Sequence, residues 1–336
     1  MTPLNLTVIG AALLSFGSAA LAGKPIDERR PMDANGLVSI DLINGSVRIT
    51  GTKTNEFRIS GEIGDDVEEY ELRETAGGIH FEEDVRHGNS NNNGWDWWNC
   101  WGKRRYSDCD LDGRFSRLEI EMPESGILRL EGVNGDVSVT GLTNNSNVSI
   151  VNGALTLQSL GGTIKADTVN GPLDAERLTG RISLETVNGE INDRDSAADR
   201  VDYQTVNGDV TSNIRSAEIT AETVNGDIEL TLGSSDELDV TSVGGRIDVA
   251  TALADSASVE ISSVNGRINL TIPTDSSARV EVNTEVNGRI TNQLTDDQPE
   301  REDRYVNSSS LDFVMNGGRA DIDISTVSGN VMLRGR

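Results

Sequence analysis

Hydrophobic and polar residues alternate along most of the chain, and the alternation changes parity at Asn-Gly pairs. One example has Ile219, Ala221 and Thr223 before Val224-Asn225-Gly226, with Ile228, Leu230 and Leu232 after it. A period of two is typical of β-strands with one buried face, so the pattern predicts two short strands flanking each pair. The parity change predicts a bend at Gly226, taken up by a positive φ, that keeps both strands facing one interior.

The Asn-Gly phrase returns at regular intervals. It begins at Val133, Val151, Val169, Val187, Val206, Val224, Val243, Val264 and Val286, with a degenerate copy at Val327. The steps between the first eight are 18 to 21 residues. Such a period indicates stacked repeats. Asn-Gly is also the strongest hairpin signal, so an antiparallel meander is the alternative. The period favours an all-β, parallel β-solenoid (β-helix-like) of about ten coils with repeats of 18–22 residues.

Stacked coils predict rows of equivalent side chains. One interior row consists of Val137, Leu155, Leu173, Ile191, Val210, Ile228, Ile247, Ile268 and Ile290. A second interior row holds the corners Asn134-Gly135, Asn152-Gly153, Asn170-Gly171, Asn188-Gly189, Asn207-Gly208, Asn225-Gly226, Asn265-Gly266 and Asn287-Gly288. These asparagines are interpreted as structural rather than as ligands, because an amide tolerates the left-handed conformation and can bond to its copy one strand above.

The repeated phrase resembles the bacterial putative-adhesin family, a domain of unknown function with VNG and VSG corners in a β-solenoid. The similarity extends from residues 37 to 51, through residues 118 to 137, to VSGNVMLRG near the end. It implies an exported or envelope-associated protein for which adhesion is proposed. It provides no catalytic motif.

The first residues predict export. Residues 4 to 22 carry no charge and end in Ala20-Leu21-Ala22, a small-x-small pattern that precedes signal-peptide cleavage. An uncleaved anchor is the alternative. We predict a signal peptide at 1–22, N-terminal coils with an insertion at 23–125, and solenoid repeats at 126–336 continuous with them. No later apolar run is long enough to span a bilayer, so the mature chain is expected outside the cytoplasm, in the periplasm, envelope or medium, without a membrane span.

Charge and composition narrow the function classes. The chain has 55 acidic and 29 basic side chains, a net charge of -26, two histidines and two cysteines. The acidity argues against a nucleic-acid partner, and the shortage of His and Cys argues against most metal or His-dependent sites. No cofactor and no metal are predicted. Glu190, Asp209 and Asp227 follow corner glycines and could attract Ca²⁺, but a solvated edge is the preferred interpretation.

One insertion contains the candidate binding residues. They are Trp95, Trp97, Trp98, Trp101, Lys103, Arg104, Arg105 and Tyr106. Aromatic and cationic side chains together favour recognition of a glycan or an envelope protein. The alternative is a cap over an open end of the solenoid. Cys100 and Cys109 are expected to form a disulfide in an oxidising compartment.

The sequence therefore predicts a non-catalytic exported envelope or cell-surface protein, an adhesin-like binding scaffold. A polysaccharide-active enzyme, lyase or hydrolase, on a β-helix is the alternative. Such an enzyme would need paired acids or a basic proton acceptor on a long lateral loop, and the predicted turns are short. The acidic stretch at 295–310 is interpreted as a solvated loop.

Overall fold

The computed structural model describes residues 24–65, 67–75, 77–85, 115–302 and 308–336. The predicted signal peptide lies outside these ranges. Every regular element in them is a β-strand. The strands are β1 (Lys24–Pro31), β2 (Leu37–Thr52), β3 (Glu56–Ile63), β4 (Val67–Thr75), β5 (Gly78–Val85), β6 (Ser116–Pro123), β7 (Ile127–Asn134), β8 (Val137–Thr140), β9 (Ser146–Asn152), β10 (Leu155–Gln158), β11 (Thr163–Asn170) and β12 (Leu173–Glu176). They continue as β13 (Thr179–Asn188), β14 (Ile191–Asn207), β15 (Val210–Asn225), β16 (Ile228–Gly244), β17 (Ile247–Asn265), β18 (Ile268–Ile272), β19 (Ala278–Thr284), β20 (Arg289–Asn292), β21 (Glu300–Glu302), β22 (Ser308–Met315), β23 (Ala320–Thr326) and β24 (Asn330–Gly335).

The strands stack in parallel on both sides of the Asn-Gly corner. The pre-corner sheet has the order β5-β2-β7-β9-β11-β13-β14-β15-β16-β17-β23-β19. The post-corner sheet has the order β6-β2-β8-β10-β12-β14-β15-β16-β17-β18-β24-β20. The described residues thus form twelve parallel rungs, which at about 4.8 Å per rung span about 50 Å. The predicted parallel β-solenoid is confirmed.

The core is thin and is made of side chains from both sheets. Every residue of the predicted aliphatic row, from Val137 to Ile290, is at most 4% exposed. Each lies in register with its copy on the next rung, as Leu155 does with Val137 and Leu173. Equivalent aliphatic side chains therefore stack on one another in consecutive rungs, and the inward row is continuous along the solenoid.

Rungs follow chain order in the middle of the solenoid but not at its ends. At the N-terminal end, β2 lies between the rung of β5 and β6 and the rung of β7 and β8. At the C-terminal end, β23 and β24 insert between β17–β18 and β19–β20. The second exception arises because β22 pairs antiparallel with β19, which reverses the chain and returns it to the edge of the preceding rung.

Antiparallel strands extend both sheets at the N-terminal end of the parallel stack and the pre-corner sheet at its C-terminal end. At the N-terminal end, β3 pairs with β6, β1 with β3, and β4 with β5. At the C-terminal end, β22 pairs with β19 and β21 with β22. The interpretation of 295–310 as a loop is therefore wrong in part, since β21 and the start of β22 fall within it. The outer strands β1 and β4 are rich in charged residues, and β1 has Pro25 near its start and Pro31 at its end. Both features oppose edge-to-edge pairing.

Glycine is required at the corner because neighbouring corners approach closely. A Cβ added at Gly226 would lie 1.9 Å from the carbonyl oxygen of Gly208 on the preceding rung. The prediction of a positive φ at Gly226 is wrong, since its φ lies outside the left-handed region. Gly153 and Gly245 do have positive φ values, of 137° and 140°. The shared requirement is thus space for the adjacent backbone, and a positive φ is added at some corners only.

The corner asparagines form a ladder of side-chain hydrogen bonds. Each Nδ2 donates to the Oδ1 of the preceding copy at 2.8 to 3.0 Å, through Asn44, Asn134, Asn152, Asn170, Asn188, Asn207 and Asn225. Gly244 then takes the asparagine position between Asn225 and Asn265. The expectation of an interior row is wrong for most of these residues, because the ladder runs along the outer edge of the corner and only Asn44 is buried.

The acidic side chain of Asp193 lies inside the core. Asp193 is fully buried and accepts hydrogen bonds from Ser196 and from the Tyr203 hydroxyl, the latter at 2.8 Å. The Tyr203 oxygen also lies 3.1 Å from the Ser212 hydroxyl. Burial raises the pKa of Asp193, which these hydrogen bonds oppose, and burial raises the pKa of Tyr203 well above its ordinary range. Asp193 therefore remains protonated to higher pH than a solvated aspartate does.

Alanine substitutions at two glycines should show whether glycine is needed at the corner for space or for its backbone conformation. Gly226→Ala places a Cβ against the Gly208 carbonyl and should lower the free energy of unfolding by about 1–3 kcal/mol. Gly244→Ala is the matched control, since its added Cβ meets nothing closer than 3.8 Å and its φ is outside the left-handed region. Urea unfolding of both variants is the measurement. Equal losses in the two would show that corner packing is not the reason for glycine.

The buried acid predicts a specific pH dependence. A folded-state pKa above the unfolded value of about 3.8 gives stability that is complete below that value and is lost as pH rises through the folded pKa. Asp193→Asn cannot ionise, and its amide can donate to the Tyr203 oxygen. The free energy of unfolding of this variant, measured from pH 3 to 7, should therefore rise relative to wild type as pH increases. A difference that stays constant with pH would contradict this assignment.

Candidate binding surfaces

The predicted aromatic and basic site lies outside the described residues, but its two attachment points are defined. This applies to Trp95, Trp97, Trp98, Trp101, Lys103, Arg104, Arg105 and Tyr106, and to Cys100 and Cys109. Strand β5 precedes the insertion and β6 follows it, and both pair in parallel with β2 in the same rung. Strand β2 passes through its corner at Asn44-Gly45 without interruption. The insertion therefore connects β5 and β6 where other rungs have an Asn-Gly corner.

A small buried polar cluster fixes the chain beside the insertion. The Ser116 hydroxyl donates to Glu83 Oε1 at 2.5 Å, and the Gly64 amide donates to the Ser116 oxygen at 2.8 Å. Glu83 and Ser116 are both buried. The adjacent Phe115 ring is 49% exposed. The two strands that carry the insertion are thus tied to each other and to Gly64, which directly follows β3.

The surface near this corner is acidic. His80 Nε2 lies 3.5 Å from Glu82 Oε2 and 3.9 Å from Asp41 Oδ2. Burial raises the pKa of Asp41, although His80 opposes the shift. These three residues are spread along outward columns of neighbouring strands. Among the described residues, no group of three or more His, Cys, Asp or Glu side chains could hold a metal ion.

A second candidate binding surface, made of exposed corner valines, was not among the predictions from the sequence. Nine corner valines lie side by side on the outside of the solenoid, with 39% to 48% of each exposed: Val133, Val151, Val169, Val187, Val206, Val224, Val243, Val264 and Val327. We call this set the valine stripe. The signal for it was present in the alternation, because Ile219, Ala221 and Thr223 point inward and the next residue, Val224, must point outward.

Two columns of polar residues flank the valine stripe. The first stands two residues before each valine and includes Glu131, Asp167, Glu185 and Glu222, and a shallow groove runs between it and the valines from Val169 to Val243. The second stands three residues after each valine and includes Asp136, Glu190, Asp209 and Asp227. Both columns lie on the outer surface and run parallel to the stack.

Part of the second column also joins neighbouring rungs. Asp136 Oδ1 accepts from the Ala154 amide at 2.9 Å, and Asp209 Oδ1 accepts from the Asp227 amide at 2.8 Å. Asp227 accepts from the Arg246 amide at 2.8 Å and pairs with the Arg246 guanidinium at 3.3 Å. The column becomes basic at Arg246, so the acidic part ends there.

Two cations offset the first column locally. Arg129 Nη2 lies 2.6 Å from Glu131 Oε1. Lys165 Nζ lies 3.5 Å from Asp167 Oδ1 and 3.3 Å from Glu185 Oε1. Nearby Asp167 and Glu185 raise the pKa of Lys165, whereas burial raises the pKa of Asp167 against the effect of Lys165. Glu222, the last acid of this column, has no such partner among the ion pairs of the described residues.

Among the described residues, no helix is long and apolar enough to cross a membrane.

Three solved crystal structures resemble the chain. A "putative cell adhesion protein" from Clostridium sporogenes is 10% identical, with 93% of this chain and 100% of that chain covered and a TM-score of 0.18. A "putative lipid binding protein" from Parabacteroides distasonis is 8% identical, with 94% and 98% covered and a TM-score of 0.46. A "putative adhesin" from Bacteroides fragilis is 12% identical, with 92% and 97% covered and a TM-score of 0.33.

No curated protein matches the chain. Residues 155–334 match the family described as Toastrack DUF4097, over more than half of the chain. The matched region contains most of the stacked rungs, which agrees with the resemblance drawn from the VNG corners. The chain belongs to the Toastrack DUF4097 family.

Proposed function

We propose that this protein is a non-catalytic binding scaffold, adhesin-like, that is exported to the cell envelope or cell surface and uses the insertion from Trp95 to Tyr106 as a contact site. The observation that supports this most directly is the position of the insertion's attachment points. Strands β5 and β6 hold it at the corner of an outer rung, where it replaces a short Asn-Gly corner. A long segment on a rigid stack is a common arrangement for recognition.

The antiparallel strands at the N-terminal end of the solenoid support a contact role over a cap. The N-terminal end already has β1, β3 and β4 paired antiparallel against the parallel rungs. Tryptophans are therefore not required there to prevent end-to-end growth. Rings and cations such as Trp97 and Arg104 suit a glycan or an envelope protein as partner.

Export is the second part of the proposal. The uncharged segment at residues 4 to 22 ends in Ala20-Leu21-Ala22, and the first described strand begins at Lys24, just beyond the predicted cleavage point. Cleavage after Ala22 would leave the folded part intact. In an oxidising compartment, Cys100 and Cys109 would close the insertion into a loop.

Replacing all four tryptophans with alanine tests the contact role. Retention of the protein on an immobilised glycan panel and on envelope fractions should fall at least about tenfold, because large aromatic side chains dominate binding energy at interfaces. The matched control replaces the same residues with phenylalanine and should keep much of the retention. Sedimentation should show that the alanine variant stays monomeric.

Three results would contradict this proposal. Undiminished retention of the alanine variant would remove the insertion from the contact, and its end-to-end association would favour the cap. Reproducible shortening of a polysaccharide, lost on replacing a single acid, would favour the polysaccharide-active enzyme.

Mass spectrometry of protein recovered from the producing cells tests export. The mature N-terminus should be Gly23, in an extracytoplasmic fraction. Alkylation without a reductant should leave Cys100 and Cys109 unmodified. Intact Met1 in the cytoplasmic fraction would contradict both the localisation and the disulfide.

A further inference from the structure

We propose that the valine stripe from Val133 to Val224, with its two flanking columns of carboxylates, is a docking surface for a basic amphipathic α-helix of a partner protein. This surface is separate from the tryptophan-rich insertion, so the proposal goes beyond the function proposed above and does not depend on it.

The stripe is an apolar feature that the fold itself does not require. The core is filled by other positions, such as Thr223 before the valine and Ile228 after the corner, and the corner is held by Asn225 and Gly226. Threonine has the same branched shape and strand preference as valine. Isolated exposed apolar side chains are ordinary, but a contiguous row of them marks an interaction surface.

The spacing of the stripe suits a helix lying along the solenoid axis. Neighbouring rungs are about 4.8 Å apart, so the valines recur at that interval. A helix has a pitch of 5.4 Å and presents apolar residues at i, i+3, i+4 and i+7, about one per turn. An extended strand would present every second residue at about 6.8 Å, which misses the valine spacing by about 2 Å at each step.

The length of the matching surface is finite. The six valines in this stretch are Val133, Val151, Val169, Val187, Val206 and Val224. Five intervals of about 4.8 Å amount to about 24 Å, which corresponds to about 16 residues of helix at 1.5 Å per residue. Helices of this length commonly dock in shallow apolar grooves.

Charge determines which helix fits. The column before the valines contributes Glu131, Asp167, Glu185 and Glu222, and among the described residues only Arg129 and Lys165 form ion pairs with it. The column after the corner contributes Asp136, Glu190, Asp209 and Asp227, and it is uncharged on the two rungs that carry Ala154 and Pro172. A helix with lysine or arginine on both flanks of its apolar face would place cations over each column.

The same charge argues against other occupants. A second copy of this chain would bring like charges together, since the net charge is -26. An anionic membrane surface would be repelled for the same reason. The second column turns basic at Arg246, which pairs with Asp227 and Asp248, so the complementary stretch ends near Val224.

The test uses a synthetic 18-residue peptide as probe, with leucines at i, i+3, i+4 and i+7 and lysines elsewhere, labelled for fluorescence anisotropy. A peptide of the same composition in scrambled order has no apolar face and serves as the peptide control. The full mature chain should bind the amphipathic peptide at least about tenfold more tightly than the scrambled one, and added salt should weaken binding.

Two sets of variants locate the site. Replacing Val151, Val169, Val187 and Val206 with threonine should weaken binding at least about tenfold, because the apolar contact is lost while the strand shape is kept. Val314→Thr is the matched control, since Val314 is 56% exposed on β22, outside the stripe, and it should bind as wild type does. Glu185→Gln with Glu222→Gln should weaken binding and reduce its salt dependence, and this pair remains informative if the threonine variant does not fold.

Several outcomes would overturn the proposal. Equal binding of both peptides, or unchanged binding by the threonine and glutamine variants, would show attraction without a docking surface. Dimers of the wild-type chain that dissociate in the threonine variant would mean that a second copy covers the stripe. Stronger binding of an alternating Val-Lys strand peptide, or stripe-dependent binding to vesicles of anionic phospholipid, would replace the helix with another occupant.

Discussion

Close stacking of each Asn-Gly corner on the next is the contact on which the rest of the structure depends. At this point the backbones approach so closely that a Cβ at Gly226 would overlap the Gly208 carbonyl. Backbone bonds such as Gly208 N to Asn225 O, at 3.1 Å, then fix the register. Because a strand side chain changes face with a shift of one residue, a corner fixed in register also decides which residues face inward on every rung.

Register converts a repeated sequence into columns, and each column has its own physical role. Inward aliphatics fill a thin core, which is how a chain with 35% hydrophobic residues can bury a continuous apolar row. Outward asparagines satisfy one another, and Asp136 and Asp209 accept amides from the next rung. Two acids depart from this pattern in inward positions: Asp193 accepts hydrogen bonds from Ser196 and Tyr203, and Glu83 accepts one from Ser116.

The repeat period was enough to predict the parallel stack and its aliphatic row, because both follow from local sequence copied at a constant interval. The rung order at the ends was not predictable in this way. At the C-terminal end the order depends on β22 pairing with β19, a contact between segments that carry no copy of the corner phrase. The parity change at Gly226 correctly indicated a bend but not its cause, since the close approach of Gly208 is a contact between rungs. The outward side of Val224 could have been read from the same alternation.

A repetitive surface also limits what can bind along it. A helix and the stack differ by about 0.6 Å per turn, so a helix centred on six rungs is out of register by about 1.5 Å at either end. Over all nine exposed valines the mismatch would reach about half of the 4.8 Å rung spacing at each end. The apolar side chains of the helix would then fall between valines. The acidic columns cover the shorter stretch and change character at Arg246. Spacing is set by backbone geometry and charge by the side chains, so two independent properties limit the contact to a short stretch of the solenoid.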